Sequence, residues 1–173
     1  MKKIILGILT VFLLTSAVVF AETDLFSQVA EDVVFIHITG KPDVNIQDAY
    51  DQVFNELKTN NLGNSISMMQ FSQLKAEAAK KNGSYDADGN LALYCAKVTK
   101  GYFLKVFIDV AKQPKDKATF ELYEPNTLKL ITKVEVTNSF GFSLNASAKK
   151  LITNGIKQLS TEIQKNQPSL IKK

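Results

Sequence analysis

The residues best suited to chemistry are the single histidine, His37, and the single cysteine, Cys95. A cysteine next to a histidine can act as an activated nucleophile, and such partners are often distant in sequence. Neither residue lies in a hydrolase motif, because His37 sits in an apolar run and Cys95 in LALYCA. We therefore expect a structural histidine and a small buried cysteine. A lone imidazole without carboxylate or thiolate partners nearby also predicts no zinc site.

Residues 84–91 partly match a calcium-binding loop, because Asp86 and Asp88 fill its third and fifth positions. A serine replaces the first aspartate, and Cys95 replaces the bidentate glutamate that closes such loops. Two carboxylates alone would hold calcium weakly. The alternative is a solvated turn in which Asp88 or Asn90 caps the next helix. No catalytic residue, cofactor or metal site is therefore predicted.

All 21 basic residues are lysine, and the chain contains no arginine. The planar guanidinium group is the usual two-point partner of phosphate groups and base edges. Its absence argues against phosphoryl transfer and nucleic-acid recognition. Without Lys2 and Lys3 the net charge falls from +4 to +2, so the rest of the chain has little electrostatic attraction to nucleic acid.

The first 21 residues resemble a secretory signal peptide, with two lysines, an apolar stretch and a small-residue cleavage site ending at Ala21. The alternative is an uncleaved membrane anchor, but hydroxyl side chains interrupt the apolar stretch. No cysteine follows it, which disfavours a lipid anchor, and one cysteine cannot form an internal disulfide. We expect cleavage after Ala21 and one domain over residues 22–173, located in the periplasm and not inserted in the membrane.

The periodicity of apolar residues predicts the element order β-α-β-α-α-β-β-β-α. The strands are predicted at residues 32–40, 65–71, 102–111, 118–123 and 128–136. Asn45 is predicted to cap the first helix, which ends at residues 60–63, and Ser72 to cap a helix over 73–81. Two further helices are predicted at 91–99 and 144–163.

The last predicted strand alternates between apolar and charged residues, which is typical of an antiparallel strand with one buried face. Its buried face would hold Leu128, Leu130, Thr132, Val134 and Val136. Gly155, inside the last helix, indicates close packing there, because glycine is unfavourable in a helix interior. Together these features predict an α/β (α+β) domain of three layers, whose mixed sheet ends in an antiparallel meander before a long C-terminal helix.

Three segments resemble one group of bacterial envelope proteins: SISMMQFSQLKAEAAKKNG, LALYCAKVTKGYFLKVFIDV and FELYEPNTLKLITKVEV. The group comprises the curli secretion lipoprotein (CsgG), penicillin-binding-protein activators of the LpoB type, the TolB amino-terminal domain and the flagellar T-ring protein FlgT. Unlike its lipoprotein members, this chain lacks an acylated cysteine after the leader. It also lacks the glycine that follows the threonine of the family's hairpin turn.

The resemblance implies a non-enzymatic periplasmic adaptor that binds an envelope protein, such as a cell-wall synthase or a Tol, motor or secretion component. An exposed aromatic patch near Phe140 and Phe142 would fit such contacts. One alternative is a carrier of a small ligand or peptide, with an apolar cavity under the sheet. A less favoured alternative is a small hydrolase or metal-dependent enzyme that uses Asp86, Asp88, His37 or Cys95.

Overall fold

The computed structural model describes residues 25–29, 32–41, 44–82, 88–110, 115–124, 127, 129–138 and 143–166. After a short 3-10 helix, Leu25–Gln28, come the strands and helices β1 (Val33–Lys41), α1 (Ile46–Thr59), β2 (Asn64–Ser65), α2 (Met68–Asn82), α3 (Asp88–Thr99), β3 (Tyr102–Asp109), β4 (Asp116–Tyr123), β5 (Leu130–Asn138) and α4 (Leu144–Asn166). This order confirms the predicted one. The signal peptide, Asp86, Phe140 and Phe142 lie outside the described residues.

The five strands form one mixed sheet in the order β2-β1-β3-β4-β5. β1 pairs in parallel with β2 and β3, whereas β3, β4 and β5 form an antiparallel meander. Helices α1 and α4 pack on one face of the sheet, and α2 and α3 pack on the other face near β1. The predicted three-layer arrangement and meander are therefore confirmed. No helix of the described residues is long and apolar enough to cross a membrane.

The first helix begins and ends where the sequence predicts. Asn45 Oδ1 accepts a hydrogen bond from the Asp48 backbone N–H at 3.2 Å, which satisfies a free donor of the first turn. The helix ends at Asn60, and Gly63 follows with φ +61°. A Cβ atom at Gly63 would lie 2.7 Å from the Asp32 carbonyl oxygen, so only glycine fits this turn.

The predicted strand at 65–71 is wrong beyond Ser65. Ser67 Oγ accepts a hydrogen bond from the Gln70 backbone N–H at 3.3 Å, and Gln70 Oε1 accepts one from the Ser67 N–H at 3.2 Å. This reciprocal capping box begins α2 at Met68, so Ser72 lies inside the helix and does not cap it. Met69, which lies within the range of the predicted strand, is in α2 and 71% exposed. Short apolar runs fit either periodicity, and here the cap decides in favour of the helix.

Strand β5 contains an irregularity that its alternation does not predict. Thr132 lies opposite Leu122, but Leu130 lies opposite Tyr123, so Ile131 is an extra residue in this strand. The extra residue interrupts the alternation, so Leu130, which precedes the bulge, points to the opposite face from Thr132 and Val134. Leu130 is consequently 44% exposed and not buried as predicted, while Val134 and Val136 are buried as predicted.

The predicted close packing at Gly155 is confirmed. A Cβ atom at this position would lie 2.0 Å from Cε2 and 2.4 Å from Cζ of Phe120 in β4. Phe120 is fully buried, so its ring has no free space into which it could rotate. The glycine therefore allows α4 to lie directly against the sheet.

Two polar side chains have buried oxygen atoms that lack a hydrogen-bond partner among the described residues: Ser65, at its Oγ, and Asp116 at the start of β4, at both carboxylate oxygens. Asp116 is fully buried, and burying a carboxylate without hydrogen bonds is costly.

We predict that Gly155→Ala destabilises the protein by a net ~1–2 kcal/mol, because the methyl group overlaps the Phe120 ring. Overpacking a core costs up to about 3 kcal/mol, and the gain of about 1 kcal/mol that alanine normally brings to a helix offsets part of this cost. Urea denaturation would measure the net loss. Asn154→Ala, at the exposed neighbouring position, is the matched control, and Phe120→Leu should restore part of the loss in the double variant. Equal stability of Gly155→Ala and wild type would contradict this account.

Candidate interaction surface

One face of the sheet is only partly covered by helices. On this face α2 and α3 cover Val33 and Phe35, and the Phe35 and Phe71 rings lie 5.9 Å apart. The remaining area is a shallow depression of about 520 Å³, which we call the open sheet face; it is lined by His37, Thr39, Lys105, Phe107, Thr119, Glu121 and Lys133.

The strand register arranges these side chains in rows across the sheet. His37 lies beside Lys105, Lys105 opposite Glu121, and Glu121 opposite Lys133, so one row crosses four strands. The next row consists of Thr39, Phe107, Thr119 and Glu135. Cross-strand neighbours on one face lie close enough to interact, so each row is a continuous contact surface.

The charges of the open sheet face are largely paired with one another. Lys133 Nζ lies 3.5 Å from Glu121 Oε1 and 3.2 Å from Glu135 Oε1. The hydrogen bond to Glu135 and the two carboxylates together raise the pKa of Lys133. Tyr123 Oη donates a hydrogen bond to Glu121 Oε2 at 2.8 Å. Burial, and then this hydrogen bond, raise the pKa of Tyr123. Lys133 and Tyr123 therefore both keep their protons at neutral pH.

Lys105 is the exception. It is exposed at the centre of the first row, and no salt bridge to it occurs within the described part of the chain. Half-buried Phe107 lies two residues further along the same strand, on the same face. A lysine next to an aromatic ring can bind an acidic or aromatic group of a partner.

The structure assigns His37 to this surface and not to a nucleophilic pair. Its ring stacks on Phe103 with centroids 6.5 Å apart and planes 16° apart. Cys95 is fully buried in α3, where burial raises the pKa of its thiol from 9.0 to about 11. A protonated, inaccessible thiol does not act as a nucleophile.

A metal site does not form among the residues that the structure describes, where no three His, Cys, Asp or Glu side chains come together. Asp86 lies outside these residues, and of Asp88 the structure gives the backbone position at the start of α3. The aromatic patch predicted at Phe140 and Phe142 also lies outside them, so it stays a prediction. Sequence analysis missed the open sheet face, although polar residues alternate with apolar ones in β3 and β4.

Comparison with known proteins supports the fold but does not identify a family. No protein-family model and no curated protein matches the sequence. The C-terminal domain of LpoB from Salmonella enterica matches with a TM-score of 0.51 and 18% identity, over 66% of this chain and 93% of that domain. PelC from Paraburkholderia phytofirmans, solved as a dodecamer, matches with a TM-score of 0.45 and 13% identity, over 78% and 88% of the two chains. Lipoprotein GNA1162 from Neisseria meningitidis gives 0.42 and 15%, over 75% and 96%.

The likeness to LpoB confirms the predicted resemblance at the level of the fold for this one member of the group. The likeness to CsgG, TolB and FlgT stays a prediction. At 18% identity the match shows a shared fold and not a shared activity.

We predict that iodoacetamide labels Cys95 at least ten times more slowly in the folded protein at pH 8 than in the urea-unfolded chain. The folded thiol is buried, and its pKa is about 11 against 9.0 for a free one. Because the folded pKa is the higher one, protonation favours the folded state below about pH 9, and this contribution is lost as the pH rises towards about 11. Mass spectrometry would measure the labelling, and fast labelling of the folded protein would revive the nucleophile hypothesis.

Proposed function

We propose that this protein is an exported, non-enzymatic accessory protein that binds a partner in the bacterial cell envelope through its open sheet face. The observation that supports this most directly is the part of the sheet that no described helix covers, on which paired charges surround Phe107 and Lys105. A mixture of aromatic residues and a polar rim is typical of surfaces that bind other proteins reversibly.

The fold and the sequence resemblance support the same proposal from a different direction. The chain shares its fold with the C-terminal domain of LpoB, and its sequence resembles the penicillin-binding-protein activators to which LpoB belongs. By this analogy the partner is a cell-wall synthase, and a Tol, motor or secretion component is the next choice. No cofactor, metal or nucleic acid is part of the proposal.

The carrier alternative has less support. The space enclosed by the core residues Val34, Leu57 and Leu159 has a volume of about 10 Å³, which is too small for a ligand. The open sheet face is shallow, and charged and hydroxyl side chains make up most of its lining. A surface of this kind suits a protein partner better than a small apolar molecule.

The export part of the proposal predicts a mature protein that begins at Glu22 in the periplasmic fraction. N-terminal sequencing of the protein purified from that fraction would measure this. Ala21→Tyr, which places a large residue at the cleavage site, should leave the precursor uncut. An uncut protein in the membrane fraction of wild-type cells would favour the anchor alternative.

The contact part predicts that a photo-crosslinking residue at Thr119 captures an envelope protein in living cells. The same residue at Thr161, exposed on α4, is the matched control and should capture nothing reproducibly. Lys105→Glu and Phe107→Ala should each reduce capture at Thr119 at least tenfold, since central interface residues carry most binding energy.

Lys157→Glu, which makes the same charge change on the outer side of α4, should leave capture unchanged. Equal capture at Thr119 and Thr161, or no effect of Lys105→Glu and Phe107→Ala, would contradict a role for the open sheet face.

A further inference from the structure

The edge strand β2 is very short, and its two residues direct their backbone groups to opposite sides. β2 is two residues long and pairs with β1 only at Val33 and Val34. The Asn64 backbone N–H donates to the Asp32 carbonyl oxygen at 3.0 Å, so the backbone groups of Asn64 point towards β1. In a parallel ladder those of the next residue point the opposite way. The N–H and C=O of Ser65 therefore point away from the sheet.

Side chains close the neighbouring edge of β1, whereas no backbone hydrogen-bond partner of Ser65 occurs among the residues that the structure describes. Tyr50 of α1 and Phe71 of α2 meet with ring centroids 6.2 Å apart and planes 13° apart. The Tyr50 hydroxyl donates to the Ile66 carbonyl oxygen at 3.2 Å, directly after β2. These contacts close the sheet after β2 but not beside it.

Depressions flank the β2 edge on both faces of the sheet. The one towards α2 has a volume of about 340 Å³ and is lined by Leu25, Val29, Val33, Asn64, Ser65, Ile66, Gln70, Gln73 and Leu74. The one towards α1 has a volume of about 290 Å³ and is lined by Phe54, Lys58, Asn61, Gly63, Asn64 and Ser65. Because Asn64 and Ser65 line both, the two depressions meet at the strand edge. We call this combined feature the edge slot.

The two sides of the edge slot differ in chemistry. The α2 side combines aliphatic side chains with neutral glutamine amides, and Met69, which is 71% exposed, lies one helical turn before Gln73. The α1 side contains Lys58, the one charged residue that lines either depression, and no salt bridge to it occurs within the described ranges. An apolar group therefore fits the α2 side and an acidic group fits the α1 side.

An extended strand presents successive side chains to opposite faces of a sheet, so it can satisfy both sides of the edge slot at once. Short edge strands generally protect a sheet from unwanted pairing. Here Ser65 offers one N–H and one C=O, so the two depressions must supply most of the affinity.

We propose that the edge slot binds an extended segment of a partner protein in which an apolar residue is adjacent to an acidic one. The segment adds to the sheet next to β2, with the apolar side chain towards α2 and the acidic side chain towards Lys58. This site is separate from the open sheet face and stands independently of the proposed function.

A fluorescently labelled nine-residue peptide that alternates valine and aspartate is the probe, and its valine–lysine counterpart is the control peptide. Anisotropy titration of the mature protein should show binding of the aspartate peptide at least tenfold tighter than of the lysine peptide. Lys58→Glu should reverse this preference, and the exposed Lys157→Glu should not change it.

Two variants at Ser65 test the backbone contact. Ser65→Pro removes the outward N–H but no bond of the β1–β2 ladder, so the melting temperature should stay close to that of wild type while binding falls at least tenfold. Ser65→Ala keeps the N–H and should bind as wild type does. Should Ser65→Pro fail to fold, the Lys58→Glu reversal still decides the proposal.

Four results would overturn the proposal. The first is an unchanged charge preference in Lys58→Glu, and the second is unchanged binding by folded Ser65→Pro. The third is protection of the Ser65 amide from hydrogen exchange in the isolated monomer, which would mean that another segment of the same chain occupies the edge slot. The fourth is a dimer in sedimentation that Ser65→Pro abolishes, which would assign the edge slot to a second copy.

Discussion

The close approach of α4 to the sheet is the constraint on which the rest of the structure depends. Gly155 lies over the Phe120 ring, and no other residue could occupy this position without moving the helix away. Because α4 lies so close, its buried side chains reach β4 and β5 on one side and α1 on the other. The result is a continuous apolar layer under one face, with Leu151, Ile152, Ile156 and Leu159 almost fully buried.

Helices α1 and α4 cover one face of the sheet, whereas the other face is covered unevenly. On that face α3 contacts β1 and, to a smaller extent, β3, and Phe103 is the last largely buried side chain before the face opens. Beyond it, the residues of β3, β4 and β5 pair their charges with one another instead of with helices. The stability of the domain and its open surface therefore rest on opposite faces of the same strands.

The two edge strands of the sheet, β5 and β2, are protected from pairing with another strand in different ways. β5 is long, but a bulge at Ile131 and the charged residues Lys133 and Glu135 make it a poor template for another strand. β2 is short and uncharged, and it lies between two depressions. The first edge is protected by charge and irregularity, whereas the second is protected only by its length.

The amino-acid sequence by itself determined much of the fold, because the deciding interactions are local. Alternation in β3 and β4, the Asn45 cap and the long apolar stripe of α4 depend on neighbours within a few residues. The element order and the need for close packing at Gly155 followed from these signals. The start of α2 is also encoded locally, in the Ser67–Gln70 capping box, although the apolar run around it fits a strand as well.

Only the tertiary structure decided which polar residues form a surface. Whether Lys105 and Glu121 face water or a helix depends on how far α2 and α3 extend across the sheet, and no local pattern encodes that distance. The bulge at Ile131 likewise follows from the pairing of β5 with β4. The sequence specifies its elements through short-range interactions, whereas the exposed rows and the β2 edge result from long-range packing, which joins residues far apart in the chain.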